Sequence, residues 1–97
     1  MTLDAFTATL TDPAPPSDLA PALVALWHDG HGAWDEAHRV AQDIDDETGA
    51  WVHAYLHRKE GDIANAGYWY RRARRPAASG GLDAEWRTLV SALLASR

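Results

Sequence analysis

Two stretches of this chain follow one plan. Laying "LVALWHDGHGAWDEAHRVAQ" (Leu23 to Gln42) over "VHAYLHRKEGDIANAGYWYR" (Val52 to Arg71), a shift of 29 positions, carries Gly32 onto Gly61, His28 onto His57, Ala25 onto Ala54 and Ala37 onto Ala66. A glycine between two runs of helical periodicity ends one helix in a left-handed residue and frees the next to begin, so each copy reads as a helical hairpin. Alanine at matching places on both arms lets the paired helices approach closely. An internal repeat of this kind limits the fold more than any bulk property. The expectation is an all-α chain built from two stacked hairpins.

The other segments fit around that pair. Residues 1–16 are rich in Thr, Ala and Pro, and Pro13, Pro15 and Pro16 resist regular structure, so they are expected to form an extended N-terminal arm before a single helical domain over 17–97. Ser17 or Asp18 is placed to cap a first helix running to about His28, with Leu19, Leu23, Leu26 and Trp27 on its apolar side. The second covers "AWDEAHRVAQDID", where Trp34, Ala37, Ala41 and Ile44 form the stripe. The third is "WVHAYLHRKE", closed by Gly61, and Asp62 caps the fourth, "IANAGYWYRRARR". "PAASGG" is a linker. A fifth helix from Asp83 sets Trp86, Leu89, Val90, Leu93 and Leu94 on one face, as a C-terminal cap on the stack.

In "EGDIANAGYWYRRA" the glycine of the turn is followed by Ala66, Tyr70 and Ala73 at the spacing of a tetratricopeptide repeat, which this hairpin resembles. Its period is shorter than the usual 34 residues, and two hairpins are fewer than the three such arrays normally need, so the arm and the fifth helix are expected to cover the open ends. "LHRKEGDIANAGYWYRR" also resembles a signature of small bacterial and fungal proteins, HR-x-EGD-x-x-N-(A/S)-x-YW/F. Leu56, His57, Arg58, Glu60, Gly61, Asp62, Asn65, Ala66, Tyr68 and Trp69 carry that likeness. It marks a family and implies no reaction.

Composition removes several function classes. The 97 residues contain no cysteine, so there is no disulfide framework, no thiolate nucleophile and no cysteine-bearing zinc or iron–sulfur centre. A metal would need His, Asp or Glu. No stretch approaches the roughly 20 apolar residues of a membrane span, and the start lacks the pattern of a secretory signal, which points to a cytoplasmic protein. A net charge of −5 disfavours nucleic acid, although Arg71 to Arg75, "RRARR", forms a local basic cluster. The plain reading of that cluster is a helix end neutralising its own dipole.

His53, His57 and Glu60 stand at i, i+4 and i+7, so one helix face presents two imidazoles and a carboxylate. Repeat symmetry adds His28 to the same face, and His38 lies one turn into the second helix, which brings four histidines within reach of one another. The candidate metal ligands are His28, His53 and His57, holding a divalent zinc, iron, nickel or copper ion. No HExxH motif is present, since Ala54 follows His53. The plainer alternative is a buried polar network without cofactor, in which the histidines bond to Tyr70, Asn65, a carboxylate or backbone carbonyls. A third reading is a ligand pocket with His57, Arg58 and Arg72 as donors and Trp27, Trp51 or Trp69 as walls.

The expected function is a binding module for a protein partner or a small polar ligand, anions included, at His53, His57, Arg58, Glu60, Asn65, Trp69 and Arg72. Its rival is a metal-dependent enzyme with Glu60 as base on bound water. Arg58 also has a modest alternative, an ion pair with Asp62 or with an Asp of the second helix. Tyr68, Trp69 and Tyr70 cover nearly every face of the fourth helix, so part of "YWYRR" is expected at the surface. Exposed Trp, Tyr and Arg suit a protein partner, and a second copy of the chain, giving a homodimer, is one such partner.

Overall fold

Gly32 and Gly61 both adopt φ of +92°, the left-handed region that the repeat asks of them. The bonds around them match as well: the Ala33 amide reaches the His28 carbonyl at 2.8 Å, and the Asp62 amide reaches the His57 carbonyl at 3.0 Å. Each bond closes the end of one helix over the turn that starts the next. Ala25, Ala37, Ala54 and Ala66 are all buried. The backbone therefore carries the repeat.

The computed structural model describes residues 1–96, and its regular elements are all helical. They are α1 (Leu3–Ala8), a short 3-10 turn (Thr9–Thr11), α2 (Pro21–Gly30), α3 (Trp34–Gln42), α4 (Glu47–Glu60), α5 (Ile63–Ala73) and α6 (Leu82–Ala95). The hairpins are α2–α3 and α4–α5, with α3 packed against α4 to join them. Among the described residues, no helix is long and apolar enough to cross a membrane.

The extended N-terminal arm is corrected in its first half. Thr2 caps α1 by accepting from the Ala5 amide at 3.1 Å, and Phe6 is fully buried with its ring 6.0 Å from that of Trp86. Phe6, Leu3 and Leu10 supply the apolar side that the proline count obscures. Only after Thr11 does the proline-rich stretch run without regular structure.

Boundaries moved where cap chemistry decided them. The second element begins at Pro21, not Asp18, because Asp18 has φ of +70° while proline suits the first helical position. Asp46 caps α4 by accepting from the Gly49 amide at 2.9 Å, so this helix begins four residues before Trp51 and α3 stops at Gln42. Arg74 takes φ of 58° at the end of α5, leaving Arg71 and Arg72 in the last turn and Arg75 beyond it.

Helix α6 closes the stack. The Trp86 indole donates to the Leu26 carbonyl at 2.9 Å, and its ring occupies the space where a side chain at Gly30 would stand. Glu85, nearly buried, receives the Arg58 guanidinium at 2.8 Å on one oxygen and the Tyr70 hydroxyl on the other. Asp29 forms a second hub, accepting from the Tyr55 hydroxyl at 2.7 Å and from Lys59 at 2.9 Å.

A three-histidine candidate metal centre

Helix α4 carries His53 near its middle and His57 in its last turn; they are only 7% and 6% exposed, and their rings stack with centroids 4.7 Å apart. Helix α3 brings a third imidazole across the junction of the two hairpins. The Nε2 atoms of His38 and His53 lie 2.9 Å apart, and the His38 and His57 ring centroids are separated by 5.2 Å. One potential ligand atom from each of the three falls within 4.8 Å of the other two. The group can hold a metal ion.

Indoles close both ends of this group. Trp34, one turn before His38 on α3, stacks on it at 5.1 Å and is fixed by donating its N–H to the Leu56 carbonyl at 2.9 Å. Trp69 of α5 lies flat on His53 at 4.0 Å. Aromatic faces on either side hold the imidazole planes without using their nitrogens.

Burial, the largest cause, pushes His53 from 6.5 down to about 4, and the neighbouring His38 and His57 add to the effect. His38 is lowered too, first by burial and then by His57, against a smaller opposing pull from Glu60 and Asp35. Both rings are therefore neutral at neutral pH, the form in which imidazole offers a lone pair to a metal. Since His38 and His53 meet through Nε2, one of them donates and the other accepts.

Glu60 sets the third ring. Its carboxylate lies 2.6 Å from His57 Nδ1, which donates to it when protonated, and the Asn65 amide donates to His57 Nε2 over a longer 3.4 Å. A carboxylate on one imidazole nitrogen orients the ring and raises the basicity of the other, the arrangement common behind metal-bound histidines. Zinc–nitrogen bonds of about 2.0–2.1 Å in a tetrahedron separate ligand nitrogens by about 3.3 Å. The His38–His53 spacing needs to open by only a few tenths of an ångström.

Six of the expected site residues lie around this centre: His53, His57, Glu60, Asn65, Trp69 and Arg72. Arg72 sits over the Trp69 ring at 5.3 Å and donates to the Tyr68 hydroxyl at 3.0 Å. Two expectations are corrected. His28 is backbone-equivalent to His57, yet it lies outside the three-histidine group, its ring edge-on to Trp27 at 5.3 Å. Arg58 points away into α6, where Glu85 and the Gly80 carbonyl engage it, and neither expected Asp is its partner. His38, not His28, is the third imidazole of the group. Trp34 stacks on the site in addition to lining the core, and its i, i+4 spacing from His38 is the sequence signal for that contact.

The surface aromatics are fewer than "YWYRR" suggests. Tyr70 is buried and Trp69 is turned onto His53, which leaves Tyr68 as the exposed aromatic of the three, at 44%. Beside His53 opens a cleft of about 340 Å³ whose walls include Asp45, Asp46, Glu47, Trp69 and Arg72. Three carboxylates against one guanidinium make it acidic. Compared with known proteins, the chain matches no family model, no curated protein and no solved structure.

Proposed function

We propose that this protein is a small helical binding module whose ligand is a divalent transition-metal ion held by His38, His53 and His57. The observation that carries the reading is the meeting of three imidazoles from two hairpins, with Glu60 behind one of them and an indole on each flank. An all-imidazole set favours zinc, copper or nickel over magnesium and calcium, which prefer oxygen. The ion replaces the proton shared between His38 and His53.

The cleft beside His53 gives a bound ion a route to solvent and gives a further polar ligand a place to bind. Its acidic walls argue against an anionic ligand there. The enzymatic alternative is the weaker one, since Glu60 is already engaged by His57 Nδ1 and serves as that ring's positioning residue. A hydrolytic role would need another base.

Calorimetric titration of the chelator-treated protein with zinc tests the reading, using His38→Gln and His53→Gln with circular dichroism as the check on folding. One equivalent is expected to bind the parent protein and none either variant. Absence of stoichiometric binding to the parent, or full binding by both folded variants, overturns it.

A further inference from the structure

Arg75 spends its charge in an unusual place. It lies beyond the end of α5, where its amide donates to the Tyr70 carbonyl at 3.0 Å, and its guanidinium sits 3.6 Å above the centre of the Trp51 ring. The other cations nearby are occupied: Arg58 by Glu85 at 2.8 Å and Arg74 by Glu47 at 3.3 Å. Arg75 has no carboxylate partner among the described residues. Exposed at the surface, it is free to meet an anion.

Beside the guanidinium lies an open cleft of about 310 Å³, bordered by α4, the end of α5, the connector to α6 and α6 itself. Trp51, Pro76, Ala77, Ala78 and Ala84 make its surface largely apolar. Its buried polar groups are satisfied internally, because both Glu85 oxygens are taken by Arg58 and Tyr70. The space is ample for a ligand of one ring and a short acidic arm. Of the two charged side chains that line it, Glu85 is neutralised by Arg58 at 2.8 Å, which leaves the Arg75 guanidinium as the charge without an ionic partner. An open apolar cleft with a single unpaired guanidinium at its rim is complementary to an apolar body that bears one carboxylate.

We infer that this cleft is a second binding site, for a small aromatic monocarboxylate whose ring rests against Trp51 and the alanine-lined wall and whose carboxylate pairs with Arg75. The site shares no residue with the three-histidine group and does not depend on a metal there. It also gives a role to the basic cluster beyond the helix dipole, because Arg75 lies outside the helix whose end it would neutralise.

The test is a two-dimensional amide NMR titration of the full chain, in chelator, with phenylacetate, phenylacetamide and phenethylammonium as probes. Phenylacetate is expected to give saturable shifts at the Trp51 indole N–H and at the backbone amides of Ala77, Ala78, Ser79 and Gly81, and to bind at least about tenfold more tightly than either other probe. Arg75→Gln, at an exposed position, is expected to erase that advantage and leave the phenylacetamide affinity unchanged, while Arg75→Lys restores part of it. No saturable shift with phenylacetate overturns the inference. So does equal binding of the amide, or an affinity for phenylacetate that Arg75→Gln does not alter.

Discussion

His38 and His53 face each other through their Nε2 atoms at 2.9 Å, so the two rings hold a single proton between them. Protonating the pair a second time would set two donors nose to nose inside a group that already contains His57. Burial of His53, with that cost added, appears in the pH dependence of folding. His53 titrates at about 4 when folded and near 6.5 when unfolded, so between these values the unfolded chain binds more protons. Stability is therefore expected to fall as the pH drops from 6.5 towards 4, with a slope of up to about 1.4 kcal/mol per pH unit for the one proton. The lowered His38 acts in the same direction, and above 6.5 the pair contributes no slope. Thermal melts across this range check it, with His53→Phe expected to flatten the curve; identical slopes in the two proteins would refute the assignment.

Zinc is expected to stabilise the fold by mass action. At a free concentration one hundred times Kd, a ligand that binds only the folded state adds about 2.7 kcal/mol. For a domain of this size that is a rise in Tm of more than about 10 °C. Chelator should reverse it. A melt unchanged by zinc, nickel and copper would remove the metal from the account of this site.

The Glu85 hub separates two costs. Tyr70→Phe deletes one hydrogen bond and leaves the carboxylate paired with Arg58, an expected loss of about 1–2 kcal/mol. Arg58→Met strands a nearly buried charge and is expected to cost about 3–5 kcal/mol. Urea denaturation of both variants, with the double variant, gives the ordering, and equal losses would mean that Glu85 finds water when Arg58 is gone.

Two glycines should respond with opposite signs. A Cβ at Gly49 would stand 2.7 Å from the Ile44 Cβ and closer still to the Ile44 carbonyl, so Gly49→Ala must push the α3–α4 corner apart. A destabilisation of at least about 2 kcal/mol is expected. At Gly67, inside α5, the nearest atom to an added Cβ is the flexible end of Arg71 at 3.6 Å, so Gly67→Ala is expected to stabilise by roughly 0.5–1 kcal/mol. Chemical denaturation of the two variants side by side measures both.

Helix periodicity and turn glycines made the scaffold legible, because both are local properties. Gly32 and Gly61 adopt the same left-handed turn, and the paired alanines are buried as the repeat requires. The site was legible only along single helices: His53 and His57 on α4, and Asn65 and Trp69 on α5. Which histidine joins from the other hairpin depends on how α3 and α4 cross, and several crossing angles satisfy the same stripes. His28 and His57 thus share a backbone role without sharing a site. The N-terminal helix was hidden for another reason: Phe6 gains its place from Trp86, eighty positions along the chain.

That distance bears on the order in which the protein assembles. The α4–α5 hairpin is joined by a two-residue turn and can close through neighbours in sequence, on the timescale of short loops. Helix α6 must instead find partners far behind it, since Trp86 reaches Leu26 across 60 residues and Glu85 reaches Arg58 across 27. Without α6 in place, Arg58 and Tyr70 lack the Glu85 carboxylate that joins them in the fold. Docking of α6 supplies it, and in the same movement pins α1 against Trp86. If α6 docks last, substitutions on it are expected to speed unfolding far more than they slow formation of the hairpins, which stopped-flow refolding and unfolding of Trp86→Leu measures.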